Sequence, residues 1–169
     1  VTEADFAVDN FLKNMLTAAR PDYGWLSEET ADDASRLTKE RVFVVDPIDG
    51  TRGFIRGEDS WTICIAIVEN GVPIVSVIYA PIRDELYEAV SGRGAMLNKS
   101  PLLRRERLGT GPIIPAPGAV HKELEERGIE YVRGPAIPSL AYRLVQVATG
   151  VLDIAVARRG AQDWDIAAP

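Results

Sequence analysis

From Thr2 onward, apolar side chains recur at Phe6, Val8, Phe11, Leu12, Met15, Leu16 and Ala19, close to helical spacing, and predict a helix over 2–19. Thr2 with Asp5 three residues on has the form of a capping box, and RPDYG ends the run. The period is then lost. WLSEET sets two adjacent glutamates behind a short apolar pair, and ADDASRLTKER reads as a polar loop. Val42, Phe43, Val44 and Val45 form a β-branched and aromatic run, the composition of an interior strand. That strand is expected to stop at Asp46, because Pro47 has no N–H to give a ladder. GTRGFI follows as a short helical turn.

Between residues 61 and 90 the pattern becomes that of strands: WTICIAIV, VPIVSVIYA and ELYEAV, joined by ENG and PIRD, predict an antiparallel meander. Residues 100–118, rich in Pro, Gly and Arg, predict a loop. AVHKELEERG reads as a helix closed by Gly128, IEYVRG as a short strand, and PSLAYRLVQVATG as a helix closed by Gly150. LDIAVAR predicts one more strand, leading to DWDIAAP, where another helix begins. Helices and strands alternating around an antiparallel block predict a mixed α/β layered domain. The chain opens inside one helical pattern and closes as another starts, so residues 1–169 are expected to be a single region, incomplete at both ends.

Composition narrows the classes. At 169 residues, 46% hydrophobic and 26% charged, the chain has the size and balance of one ordinary globular domain. A net charge of -6 argues against a nucleic-acid polymer as partner. The densest basic run, Arg104, Arg105 and Arg107, is interrupted by Glu106 and reads as a solvated loop. No apolar stretch approaches the roughly 20 residues of a membrane span, and VTEADFAVDN lacks the form of a signal peptide. The single cysteine, Cys64, lies in a strand-like run and reads as a core residue; with the single histidine, His121, it makes no soft-metal site. A reducing, cytoplasmic location is the expectation.

What remains is a set of acids at element ends: Glu28 and Glu29, Asp46, Asp49, and Asp163 with Asp165, with Asp5 as a fifth place. Asp46 and Asp49 crowd two carboxylates into four residues, where they repel unless a cation or a proton joins them. A turn in which both cap the following helix is the plainer reading, just as Glu28 and Glu29 alone would be an exposed loop pair. Carboxylates and carbonyls without His or Cys are the ligand set of Mg²⁺, Mn²⁺ or Ca²⁺. The EF-hand spacing and the P-loop are both absent, and Gly92 and Gly94 in SGRGAM lack the third glycine of a dinucleotide fingerprint. Free N–H groups at Gly50 and Thr51, opening a short helix beside such acids, form an anion site. Metal ions beside a phosphate cradle point to phosphoryl transfer with metal-activated water.

DPIDGT, with EE upstream and WDIAAP downstream, resembles the inositol monophosphatase family of Mg²⁺-dependent, lithium-sensitive phosphomonoesterases. VTEAD, GRGAMLN and ATGVLDIAVAR are similar in the same order, so the resemblance spans the chain. It implies a layered αβαβα sandwich. It implies Glu28, Asp46 and the Ile48 carbonyl as ligands of one metal, and Asp46, Asp49 and Asp165 as ligands of a second, with Asp46 bridging. Asp5, with Glu29, is similar to the outer acids that order a third ion and the attacking water. Gly50 and Thr51 would hold the phosphate, the Thr51 hydroxyl would orient the water beside Glu28, and the leaving alkoxide would form near Asp165. Two or three Mg²⁺ ions are implied, with Mn²⁺ as a substitute and Li⁺ as an inhibitor, in a homodimer acting on a small phosphate ester. No Cys or His nucleophile is evident for a covalent route.

Substrate identity divides on one position. Inositol-specific members place a glutamate seven residues before the Asp of WD, where this chain has Arg158, followed by Arg159. An arginine there could pair with a second phosphate or a carboxylate. DGTRGF is also similar to the 3'(2'),5'-bisphosphate nucleotidase branch, which acts on 3'-phosphoadenosine 5'-phosphate. A non-catalytic cation-binding protein of the same fold is the third reading. Trp164 reads as a packing anchor for Asp165, and Asp163 and Asp153 as surface acids.

Overall fold

The structure, a computed structural model, describes residues 1–106, 109, 111–157 and 160–169. Helix α1 (Glu3–Ala19) opens with the expected capping box: Thr2 accepts from the Ala4 amide, and Asp5 accepts from the Thr2 amide. Two buried side chains on α1 are acids, Asp5 and Asp9, one helical turn apart on the same face. Strand β1 (Gly24–Ser27) runs parallel to β2 (Arg41–Asp49). After β2 come a short helix α2 (Thr51–Ile55) and the meander β3 (Thr62–Glu69), β4 (Val72–Ala80), β5 (Glu85–Val90) and β6 (Gly94–Leu97). The two-residue β7 (Ser100–Pro101) ends a seven-stranded sheet whose strands lie in sequence order.

The meander is as expected, and its first hairpin turns on Asn70 and Gly71, both with φ > 0 as a type I′ turn demands. Three expectations fail. Strand β2 does not stop before Pro47; it continues to Asp49 through a bulge, where three steps on β2 face two on β3. Proline is tolerated there because a bulge leaves one residue outside the ladder. Second, 100–118 is not all loop, since β7 and β8 (Ile113–Ile114) lie in it. Third, LDIAVAR forms no strand over residues 152–157. The Asp153 carboxylate takes the Ile113 N–H at 2.7 Å, and the amides of Asp153 and Ile154 both turn to the one Ile113 carbonyl, so no ladder propagates. Asp153 is therefore half-buried and bonded, not a surface acid, whereas Asp163 is exposed.

Helix α3 (Gly118–Glu126) leads to β9 (Val132–Arg133), parallel to β8, and then to α4 (Leu140–Ala148) and α5 (Asp163–Ile166). Leu26, Val44, Cys64, Ala66, Ile78 and Tyr87 of the large sheet form one buried cluster with Ala141, Tyr142 and Val145 of α4 and with Ala168. Trp164 packs against that cluster, as an anchor should. On the sheet's other face Phe43 packs at a tilt against Tyr23 and Trp25, and Lys13 of α1 lies over the Trp25 ring. Helices therefore cover both faces of the large sheet, with the β8–β9 pair and α3 beyond: the mixed, layered α/β arrangement that was expected. No helix among the described residues is long and apolar enough to cross a membrane.

Candidate active site

Asp46 and Asp49 sit on the bulged end of β2, and Asp165 reaches the same point from α5. One carboxylate oxygen from each lies within 4.8 Å of the others. Asp46 is 1% exposed and Asp49 7%, so the repulsion acts where water screens it poorly. Among the described residues no salt bridge reaches any of the three. An oxygen-only donor set of this kind, short of positive charge, fits a divalent cation of the Mg²⁺, Mn²⁺ or Ca²⁺ class.

The acids' proton affinities follow. Burial pushes the Asp46 carboxyl well above the usual carboxylate range, and the charges of Asp49 and Glu28 push it further. Burial also raises Asp49, opposed by hydrogen bonds from Ser139, Ala141 and Leu140. Glu28 follows Ser27 of β1, where its amide donates to the Val45 carbonyl at 3.3 Å. Although Glu28 is exposed as a residue, the protein around its carboxyl strips enough water to raise its pKa, with Glu29 and Asp165 adding to the shift. The Asp46 side chain beside it acts in the opposite sense and offsets part of that rise.

Asp5 is fully buried. Its Oδ2 accepts from the Thr2 amide and hydroxyl, and its Oδ1 faces the Thr51 hydroxyl at 3.3 Å. That hydroxyl also lies 3.1 Å from the Ile48 carbonyl oxygen. One residue thus links the outer acid to the carbonyl proposed as a ligand. Glu29 is half-buried and raised by burial and by Asp5. Glu28 interacts with all three acids of the tight group, Glu29 feels the charge of Asp5, and none of Asp5, Glu28 and Glu29 belongs to the group itself.

The capping alternative for Asp46 and Asp49 does not hold. Helix α2 has Gly50 as its N-cap, at φ 89°, and no side-chain cap. Asp46 folds onto the Ile48 amide at 3.0 Å, and Asp49 accepts from the Ser139 hydroxyl and Ala141 amide of α4, each at 2.6 Å. Two contributors were not foreseen. Asp9, 2% exposed, accepts from the hydroxyls of Ser27 and Thr30 and so grips the segment carrying Glu28 and Glu29. Ser139 grips Asp49. The available signals were Asp9 one turn after Asp5, and a serine directly before the apolar start of a helix.

Beside the acids opens a cavity of about 890 Å³, lined by Gly50, Thr51 and Asp165 and by Arg52, Arg56 and Arg143. Arg56 is paired with Glu58. Arg158 and Arg159 lie outside the described residues, as does Arg107; Arg104 and Arg105 are exposed, as a solvated run should be. Cys64 is buried in the core, and His121 is bonded to Tyr131 at 2.9 Å, away from the acids.

Fold and site together define a class: a layered α/β protein with an all-carboxylate cluster at a strand end, facing a polar cavity. The chain belongs to the inositol monophosphatase family, which matches residues 1–169. It is 32% identical over 177 residues to the Bacillus subtilis protein named inositol-1-monophosphatase, covering 99% of this chain and 66% of that one. It is 43% identical over 95 residues to the histidinol-phosphatase of Mycobacterium tuberculosis, covering 56% of this chain and 36% of that one. The staphylococcal protein SaIMPase-II, bound to inositol monophosphate, superposes with a TM-score of 0.84 at 29% identity over 97% of this chain and 66% of that one. Bound to 2'AMP it gives 0.85 at 30% identity, over 99% and 67%. The chain spans about two-thirds of the length of the relatives it matches end to end.

Proposed function

We propose that the protein is a divalent-cation-dependent phosphomonoesterase that hydrolyses a small phosphate ester with water. The observation that carries this is the convergence of Asp46, Asp49 and Asp165 within 4.8 Å, beside the helix start at Gly50 and Thr51. Glu28, Asp46 and the Ile48 carbonyl would hold one cation, and Asp46, Asp49 and Asp165 a second, with Asp5 and Glu29 serving a third. Bound there, the cations supply charge neutralisation for the phosphoryl group and a lowered pKa for water.

The chain's own groups do the rest. The backbone N–H groups at the start of α2 receive the phosphate oxygens. The Thr51 hydroxyl, held by Asp5 and the Ile48 carbonyl, orients the water beside Glu28. Glu28, whose proton affinity is raised, takes the water's proton as its oxygen attacks phosphorus. The ester P–O bond breaks, the departing alkoxide, formed near Asp165, takes a proton from solvent water and leaves as the alcohol, and Glu28 returns its proton to solvent.

For the substrate, an inositol monophosphate is one reading, supported by what the B. subtilis relative is named for. Arg52 in the cavity favours a second, a 3'(2'),5'-bisphosphate nucleotide, because its guanidinium can meet a further anionic group. The test is phosphate release in Mg²⁺ from inositol 1-phosphate and 3'-phosphoadenosine 5'-phosphate, with and without Li⁺, beside an Asp49→Asn control. Release that Li⁺ suppresses and D49N abolishes is expected. Preference for the nucleotide assigns Arg52 to a second phosphate. Silence across a wider ester panel refutes the phosphatase and leaves a non-catalytic cation-binding protein. Mn²⁺ is expected to replace Mg²⁺, and light scattering is expected to give a homodimer.

A further inference from the structure

Ser139 is fully buried and stands 90 positions from the acid it touches. Its hydroxyl has three neighbours. The Tyr142 amide donates to it at 2.8 Å, the N-cap bond of α4. The Thr62 hydroxyl lies 3.0 Å away, and Asp49 Oδ2 lies 2.6 Å away. A serine hydroxyl has one proton and two lone pairs. An ionised Asp49 can only accept, so the proton goes to Asp49. The Thr62 hydroxyl must then donate to Ser139, and the Cys64 thiol, 3.5 Å from Thr62, is left to donate to Thr62. Every bonding capacity of Ser139 is used, and the direction of the chain Cys64, Thr62, Ser139, Asp49 is set.

The Ala141 amide lands on the same Asp49 oxygen at 2.6 Å. Two donors from the start of α4 converge on Oδ2 and hold the carboxylate from that side. Backbone packing holds the arrangement from the opposite side. A Cβ on Gly50 would come within 3.0 Å of the Ser139 nitrogen, so the phosphate-side turn and the start of α4 are in contact. Helix α4 is itself tied to the sheet, its Tyr142 hydroxyl donating to Glu85 at 2.7 Å and its Gln146 amide to the Tyr87 hydroxyl at 3.1 Å. Helix, sheet and turn all converge on one serine.

We propose that Ser139 is the positioning residue for the Asp49 carboxylate, and that its hydroxyl sets how tightly the Asp46–Asp49–Asp165 cluster binds a divalent cation. The proposal rests on the reading of that cluster as a cation site. Helix capping alone does not explain the residue. Asn and Asp cap as well as Ser, but Asp cannot donate to Asp49, and a cap needs no donation at all. At this position one hydroxyl accepts from the helix and from Thr62 while giving its proton to an acid.

The test is Mn²⁺ binding to the full chain, read from the loss of the free-ion electron paramagnetic resonance signal, with thermal unfolding in parallel. Ser139→Gly removes the hydroxyl while glycine keeps most of the capping. Its half-saturating Mn²⁺ concentration is expected to rise by about 10- to 100-fold, the usual effect of losing the partner that orients a metal ligand, at a temperature where the unfolding curves show both proteins folded. Ser139→Thr restores the hydroxyl and is expected to bind like wild type. Thr62→Val, which spares the cap, is expected to give a smaller rise. S139G binding Mn²⁺ like wild type overturns the proposal, as does S139T binding as weakly as S139G. A T62V protein indistinguishable from wild type overturns the relay from Thr62. Wild-type protein that binds no Mn²⁺ refutes instead the cation site on which the proposal stands.

Discussion

Replacing Asp46 by asparagine is expected to stabilise the metal-free protein and to destroy its response to metal. Two unit charges 4.8 Å apart repel by about 3.5 kcal/mol at an effective dielectric of about 20. Asp46 faces two such partners, Asp49 and Asp165, together with Glu28. Proton uptake relieves part of this, so the gain on neutralising Asp46 is about 1–3 kcal/mol near neutral pH. Asparagine keeps the local bonds, because its Oδ1 can accept from the Ile48 amide and its amide can donate to Glu28. At about 2–4 °C per kcal/mol for a chain of this size, Tm in EDTA should rise by several degrees.

The sign with pH follows from the direction of the shifts. The carboxyls of Glu28, Asp46 and Asp49 are raised in the folded state. The native state therefore holds protons that the unfolded chain has released, and this stabilisation is lost as pH rises through the raised values. The advantage of D46N should be widest at neutral to mildly alkaline pH and should shrink on acidification. In Mg²⁺ the order reverses, because wild type gains stability from ligand binding and D46N loses that gain. Scanning calorimetry in EDTA and in Mg²⁺ across that pH range decides it. A lower Tm for D46N in EDTA at neutral pH, or a wild type whose Tm ignores Mg²⁺, would refute the reasoning.

Gly50→Ala places a side chain at φ 89° with its Cβ 3.0 Å from the Ser139 nitrogen; a cost of about 1–2 kcal/mol from the backbone alone should lower both Tm and phosphate release, and a variant equal to wild type in both would remove the close-approach argument. Asp9→Ala leaves the Ser27 and Thr30 hydroxyls without their acceptor, so a loss of about 1–3 kcal/mol is expected in denaturant unfolding, with weaker Mg²⁺ activation because the Glu28 segment is loosened; unchanged stability counts against that grip. Metal binding should release protons from the raised carboxyls, so calorimetric heats should scale with the buffer's ionisation enthalpy and affinity should fall with falling pH; heats independent of buffer would show that the cluster is already ionised.

The acids were legible in the sequence because a carboxylate at the end of an apolar run has few structural uses, and DPIDGT places two of them there. Strand β1 was not, since GWLS is too short for a period and pairs in parallel with a strand some twenty residues away. LDIAVAR misled for the opposite reason: its period is that of a strand, but the Asp153 side chain takes the amide that a ladder would have used. Pro47 marked a stop where the chain instead makes a bulge, and that bulge is what brings Asp46 and Asp49 onto one site.

The wiring among the acids was the least legible part, and the reason is sequence distance. Asp49 is held by Ser139, Thr51 faces Asp5 across 46 positions, and Asp9 reaches Ser27 across 18. None of these pairs has a local signature, because each residue already has a sufficient local role. Ser139 caps α4, Asp5 caps α1, and Thr51 opens α2. The same atoms then serve twice, as a cap within one element and as a clamp on a ligand of another. A cap residue that is fully buried is therefore the sign to look for: an exposed cap satisfies only its helix, whereas a buried one must find partners for its remaining valences, and at Ser139 and Asp5 those partners lie at the site.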